Sequence, residues 1–364
     1  LAIRLTREGH RVRVVIPFEG PLRARLEEGG VEVEMMEGLP LLKRAALKNP
    51  LRLLKLLVDI PRYARRIQRS IHEVEAEVVH TNTATVLFSP ALAARRARLP
   101  HIWHMRENFS EFGPVWPVFR RGVLAFSHRI LCISHSVREQ FGPSEKVEVL
   151  HNGYMREEFE GVEPEQVEAF RRTHAEGDGF LVGIVGRIKW VRKGQEVFVR
   201  AAARLKERYP TARFLLIGSP FPGNESHLEK LLALVKDLGL DRQVVYLGTI
   251  DDVRTAMSAL DVSVMASVMA EPFGGVVIES MALGTPVVAS ANGGPAEIVE
   301  DGVSGLLFPP GDDAAMAEAI DRLLRDEVGR KQMAEAARRR FEEAFEYDRF
   351  YESMVKVYKE LIDG

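Results

Sequence analysis

Residues Asp261–Val288 read DVSVMASVMAEPFGGVVIESMALGTPVV. The apolar run Val262–Met265 is a candidate strand, and the pair Gly274-Gly275 opens an apolar-rich stretch that stops at Gly284. Pro286 cannot continue a helix, and a glycine just past the last helical residue is a common terminator. The spacing therefore predicts a strand, a helix begun near Gly274, and a second strand at Pro286–Ala289. Apolar strands separated by helices form parallel sheets covered on both faces. Right-handed crossovers place the carboxyl ends of all strands in such a sheet on one side, where ligands are expected.

The same alternation extends outward in both directions. Leu181–Val185, Arg213–Ile217, Val244–Leu247 and Gly305–Phe308 read as further strands, and so do Val12–Ile16, Val78–Thr81, His101–His104, Arg129–Ile133 and Val147–His151 upstream. At roughly 150 residues per domain, 364 residues make two domains. The fold class predicted is α/β, with two doubly wound, Rossmann-like parallel-sheet domains facing a shared cleft. The seam is expected in the polar stretch Glu160–Gly179, which gives an amino-terminal domain over 1–165, a carboxyl-terminal domain over 166–346, and a last helix over 347–364 that packs back on the first. Leu1–Gly9 reads as the end of a helix, so a strand and its loop are expected ahead of residue 1.

Composition excludes several classes. Apolar residues at 46% and charged residues at 28% fit a globular protein rather than a disordered or coiled-coil one. A single cysteine, Cys132, rules out an internal disulfide and fits a reducing compartment. The net charge of −2 is the sum of +6 over residues 1–160 (25 basic, 19 acidic) and −8 over the rest (25 basic, 33 acidic). Neither half carries the domain-wide basic field of a nucleic-acid binder. With no apolar run long enough to span a bilayer and no secretory signal at its opening, the expectation is a cytoplasmic protein.

Two stretches carry candidate chemistry. Backbone amides bared by Gly274 and Gly275 at a helix start suit an anion, phosphate above all; the same glycines would also serve tight strand-to-helix packing alone. Glu271 and Glu279 flank that start, and because carboxylates repel an anion, both are expected to face neutral hydroxyls. A ligand with one charged and two polyol parts fits, which describes a nucleotide sugar. The second stretch, Gly186-Arg187 to Lys193-Gly194, concentrates cations after the strand Leu181–Val185. Such cations can hold a diphosphate and stabilise it as a leaving group without a metal. Gly183 and Gly186 do not make a dinucleotide fingerprint, since the third glycine is missing and the helix follows too late.

The ordered set Gly186-Arg187, Lys193-Gly194, Glu271-Pro272-Phe273-Gly274, Glu279, Gly284-Thr285-Pro286, Gly293-Gly294, Glu297 and Gly302 resembles the retaining glycosyltransferases of family 4, whose fold is GT-B. The resemblance spans nearly the whole chain. It implies that Arg187 and Lys193 bind the donor diphosphate, Glu279 the nucleotide ribose and Glu271 the donor sugar hydroxyls. Gly186, Pro272, Phe273, Gly274, Gly275 and Val276 complete the donor site, and His104 lies beside the donor sugar. It further implies a hydroxyl acceptor on a glycan or lipid-linked carrier and a role in polysaccharide, lipopolysaccharide or glycolipid synthesis. Neither a cofactor nor a metal is expected, there being no Asp-x-Asp in the chain.

The chain departs from the family pattern in three places. The loop Arg187–Lys193 is one residue longer than usual, which makes Arg192 an alternative diphosphate ligand, and Ser267–Glu271 is longer by one as well. The family's first strand and glycine-rich loop have no counterpart, so the stretch as given is expected to be less active than a longer parent. A nucleotide-sugar epimerase of the same architecture and a non-catalytic nucleotide-sugar binding subunit are the rival readings. Finally, Leu41–Ile71 carries nine Lys or Arg against one acid, Asp59, interleaved with aliphatic residues. It reads either as a surface for anionic membrane or as a pair of solvated helices broken at Pro50 and Pro61.

Overall fold

The computed structural model describes residues 1–41, 50–83, 86–109, 113 and 115–364. The chain divides into two compact units. One comprises Leu1–Ile133, Val137–Leu150 and Tyr351–Gly364; the other comprises Ser134–Ser136 and His151–Phe350.

In the second unit, strands β7 (Leu181–Val185), β8 (Arg213–Ile217), β9 (Val244–Gly248), β10 (Val262–Met265), β11 (Val287–Ser290) and β12 (Leu306–Phe308) form one parallel sheet in the order β12-β11-β10-β7-β8-β9. Sequence order reverses between β7 and β10, which pair directly through Ser263 and Gly183. In a doubly wound sheet the crevice beyond the strand ends at this reversal is where ligands bind. β7 and β10 are buried almost throughout because helices cover both faces. On one face Phe198, Phe214, Val264, Phe308 and Met316 build a continuous core. The polar stretch Glu160–Gly179 contains the helix Pro164–His174.

In the first unit, β3 (Val79–Thr81), β4 (His101–Met105), β5 (Arg129–Cys132) and β6 (Val147–Val149) form a parallel ladder, while β1 (Arg13–Ile16) and β2 (Glu32–Met35) pair as a separate one. Val15 of β1 and Val79 of β3 nonetheless pack on one core cluster with Met36, Tyr63, Ile67 and Ala93. Within this unit Tyr351 donates from its hydroxyl to Glu8 Oε2 at 2.6 Å, and His80 Nδ1 and Tyr358 Oη lie 2.6 Å apart. Cys132, in the middle of the β4-β5-β6 ladder, is fully buried, and burial pushes its thiol up to about 12.

Two expectations are corrected. β2 is an additional strand: its sequence, Glu-Val-Glu-Met, alternates charge with aliphatic residues, and its residues are half-buried or exposed, as suits a sheet edge. The basic stretch is not a pair of helices broken at Pro61, since a single helix runs Pro50–Glu73 with Pro61 inside it. Tertiary packing outweighs the helix-breaking tendency of proline here. Ala64, Ile67 and Ile71, all after the proline, are buried against the core. Residues 42–49 of the same basic stretch lie outside the described residues.

Candidate functional site

The loops after β7 and β10 meet at the sheet's reversal point. Gly186, Lys193, Glu271, Gly274, Gly275 and Val276 line one cavity, open to solvent, whose floor is the ends of β7 and β10. Sequence reading placed all six in the donor site, and the fold brings them together.

Each loop is shaped by local backbone requirements. Gly194 starts the helix Gln195–Leu205 from the left-handed region (φ 68°), and a Cβ there would lie 1.9 Å from the Ala266 carbonyl oxygen, so the β7 and β10 loops touch through bare backbone. Gln195 ties the β7 loop together: its amide donates to the Arg187 carbonyl at 3.0 Å and accepts from the Lys189 N–H at 3.3 Å. Val191, in the loop between β7 and the helix Gln195–Leu205, sits at φ 66°, a strained conformation for a β-branched residue.

Lys193 projects into the cavity and donates from Nζ to Glu271 Oε2 at 2.6 Å. The same carboxylate oxygen accepts from Ser267 Oγ at 3.1 Å. Sequence reading left Arg192 as an alternative to Lys193 at this position. Arg192 engages the β10 loop through its backbone, its carbonyl accepting from the Val268 N–H at 3.0 Å. The Arg187 side chain does not line the cavity; its guanidinium lies over the exposed Phe221 ring, 5.1 Å from the centroid.

The segment Glu271–Phe273 is clamped from outside. The Gly294 N–H donates to the Glu271 carbonyl at 2.8 Å, and a Cβ on Gly294 would fall 2.0 Å from the Phe273 carbonyl oxygen. Ser134 Oγ donates to the Pro272 carbonyl at 2.6 Å. Glu297 accepts from the His135 and Ser136 N–H groups at 2.7 and 2.8 Å. Burial works to raise its carboxyl, but the His151 ring, with Nε2 3.5 Å from Oε2, and these two backbone bonds outweigh that and hold it below the usual carboxylate range.

The helix Gly275–Leu283 begins at Gly274 (φ 100°) and ends at Gly284 (φ 72°), the two boundaries its glycines predicted. Its first amides open on the cavity, and no side chain caps them. Glu279 lies one turn in. Burial, together with the nearby Glu158 carboxylate, raises its carboxyl above the usual range. A Cβ on Gly275 would lie 2.6 Å from Tyr154 Oη and 3.4 Å from Glu279 Oε1, so the phenol and the carboxylate converge on the helix start.

His104 belongs to the first unit, fully buried within β4 and stacked on His80 with 5.5 Å between ring centroids. Burial, then the charge of Arg106, holds it well below the usual imidazole range, so it is neutral. Sequence reading missed Ser267, Gln195, Tyr154 and Phe221. Ser267, four residues before Glu271, and Gln195, next to Gly194, could be suspected from position; Tyr154 and Phe221 reach the site only through the fold. Among the described residues no three or more His, Cys, Asp or Glu side chains are grouped to hold a metal ion, and no helix is long and apolar enough to cross a membrane.

Comparison with known proteins adds to this geometry. The family model described as glycosyl transferases group 1 matches residues 166–340, and that of glycosyltransferase family 4 matches residues 1–158. An uncharacterized glycosyltransferase of Methanocaldococcus jannaschii is 33% identical over 242 residues, 64% of this chain and 60% of the relative. A D-inositol 3-phosphate glycosyltransferase of Salinispora tropica is 36% identical over 203 residues, 54% of this chain and 42% of the relative. The chain thus spans less than two thirds of the length of both relatives. Among solved structures, HepE of Anabaena in complex with UDP-glucose superposes with a TM-score of 0.81 over 99% of this chain and 94% of HepE, at 24% identity. That likeness shows the fold, which is GT-B.

Proposed function

Because this chain belongs to the group 1 glycosyltransferases, we propose that it moves a sugar from a nucleoside diphosphate sugar to a hydroxyl acceptor, with retention of configuration at the transferred carbon. The observation that carries the reading is the meeting of Lys193, Glu271 and the uncapped amino end of the helix Gly275–Leu283 in one cavity at the sheet's reversal point. A cation and a row of amides suit a diphosphate, and the carboxylate suits the hydroxyls of the sugar attached to it.

In this reading the diphosphate lies on the amides at Gly274–Val276, and Lys193 exchanges Glu271 for a phosphate oxygen. Glu271, released, accepts from sugar hydroxyls, and Glu279 accepts from the ribose beyond the helix start. Arg187, whose guanidinium rests over Phe221 outside the cavity lining, adds a second cation by turning inward as the donor binds. As the bond between the sugar carbon and the diphosphate oxygen breaks, the acceptor hydroxyl forms its bond on the same face and its proton passes to a diphosphate oxygen. The negative charge that grows on the leaving group is stabilised by the helix amides, which the backbone holds in place before the reaction, and by Lys193 and Arg187 once they have turned to the diphosphate. His104 enters only as a neutral imidazole. No metal ion is part of the reading. The UDP-glucose bound by HepE supports the ligand class, and the Salinispora relative's named acceptor, an inositol phosphate, supports a hydroxyl-bearing one. A glycan or lipid-linked carrier in cell-envelope assembly is the acceptor class proposed.

Calorimetric titration with UDP-, GDP- and ADP-sugars, with and without chelator, tests this on the chain and on Glu279→Ala. The expected result is selective binding that survives chelation and weakens in the variant. Binding of no donor, by this chain or by a longer form of it, overturns the reading. Conversion of the donor sugar to an epimer without acceptor would identify an epimerase instead.

A further inference from the structure

The helix Pro50–Glu73 presents two faces of opposite character. Tyr63, Ala64, Ile67, Ser70 and Ile71 are buried against the first unit's core. On the other side Leu54, Val58, Arg62, Arg65 and Arg69 fall within an arc of about 80° at helical spacing, with Lys55 and Arg66 extending it to about 120°. Leu54 is 59% exposed and Val58 63%, and the four arginines are exposed as well. Among the described residues, no salt bridge joins Lys55, Arg62, Arg65, Arg66 or Arg69 to a carboxylate. The acids at hand do not balance them: Asp59 is half-buried, and Glu73 is engaged by Arg13 at 2.8 Å.

Five unbalanced cations on one face, with two large aliphatic side chains held out in water among them, match a surface that offers both anions and hydrocarbon. From this we infer that the outer face of Pro50–Glu73 docks the first unit on an anionic lipid bilayer, with Leu54 and Val58 entering the acyl boundary and the arginines resting on headgroup phosphates. Polyanions such as nucleic acid would satisfy the arginines and leave the aliphatic pair exposed. The inference does not depend on the reading of the donor cavity, because it concerns a different unit and a different ligand.

Flotation with vesicles of phosphatidylcholine alone, and of phosphatidylcholine mixed with phosphatidylglycerol, provides the test. The protein is expected to float with the anionic vesicles at low salt, to be released at high salt, and to ignore the neutral ones. Combining Arg62→Gln, Arg65→Gln and Arg69→Gln is expected to weaken partitioning by about 100-fold, each basic residue near an anionic surface contributing roughly a factor of five. Combining Leu54→Ser and Val58→Ser is expected to weaken it by about tenfold while the charge is unchanged. All five positions are exposed, so both variants should keep the wild-type circular dichroism spectrum and melting temperature. Absence of flotation at low salt overturns the inference, as does equal flotation by the triple arginine variant. Indifference of binding to the Leu54/Val58 pair, with duplex DNA binding in the same salt range, would assign the face to nucleic acid and overturn it too.

Discussion

Lys193 Nζ lies 2.6 Å from Glu271 Oε2, so the cation proposed for the diphosphate and the carboxylate proposed for the sugar are paired with each other. In the proposed reading a donor separates them and replaces the lost pair with two interactions. A nucleoside diphosphate without sugar replaces only one. Since the pair is partly exposed, with side chains 31% and 19% accessible, its own strength is modest, roughly 0.2–1 kcal/mol.

Glu271→Gln should therefore bind free UDP about two- to fivefold more tightly than the parent chain, because Lys193 is released and a repelling charge is gone. It should at the same time lose most of its sugar transfer. Lys193→Met should weaken binding of both UDP and UDP-sugar by about 10- to 100-fold, the range for a charge-assisted hydrogen bond. Paired calorimetric titrations of UDP and UDP-glucose separate the two effects. Weaker UDP binding by Glu271→Gln would show that the pair does not compete with the diphosphate.

Glu279 is raised above its ordinary range, first by burial and then by Glu158, so folding disfavours its charged form. Between the ordinary and the raised value the folded state holds the extra proton, and stability falls as pH rises through that window. Glu279→Gln should raise the melting temperature at pH 7, with the difference shrinking as pH drops toward the ordinary glutamate range, while it weakens donor binding. Melting curves from pH 4.5 to pH 7.5 give the test; a lower melting temperature for the variant at pH 7 contradicts it.

His101 titrates at about 3, burial being the main cause, and His104 is also held well below the imidazole range. The unfolded chain takes up these protons near pH 6.5 and the folded one does not, so stability is complete above that pH and is lost as pH falls from about 6.5 toward 3. Each histidine adds a slope of up to about 1.4 kcal/mol per pH unit. Denaturant unfolding between pH 7 and pH 4.5 should show this loss, and His101→Gln should reduce the slope by about one proton. An unchanged slope would mean that His101 titrates normally.

Gly294 has an ordinary helical backbone (φ −55°), so only space forbids a side chain there. A Cβ would meet the Phe273 carbonyl at 2.0 Å and push on Glu271–Phe273. Gly294→Ala should cost about 1–3 kcal/mol in denaturant unfolding and weaken donor binding more than tenfold. Gly223→Ala is the control, since a Cβ at Gly223 meets nothing within 4 Å and its own cost comes from φ 88° alone. Unimpaired binding by Gly294→Ala would show that the clamp does not set the position of Glu271.

What was legible in the sequence followed from how many independent requirements each element meets. β7 and β10 are buried on both faces, so their residues are apolar throughout and their limits were readable to the residue. The helix Gly275–Leu283 was readable because glycine marks both of its ends. β2 carries alternating glutamates and shows no such run, and Pro61 signals a break that packing overrides. In the site, spacing identified Lys193 and Glu271 separately, but 78 positions divide them, and only the sheet's reversal makes them partners. Tyr154 follows Gly153 and Phe221 lies between Gly218 and Gly223, but those glycines read as turns, and only contact in the fold brings either ring to the site.

The buried state of Cys132 has a practical use. With its thiol pushed up to about 12 and no exposed surface, the sole cysteine of the chain is closed to alkylating reagents at neutral pH. The parent sequence therefore serves unaltered as a dark background for attaching probes. A cysteine introduced at Val191, 51% exposed on the loop beside Lys193, would be the single reactive thiol, and a fluorophore on it would report donor arrival in real time without any competing label.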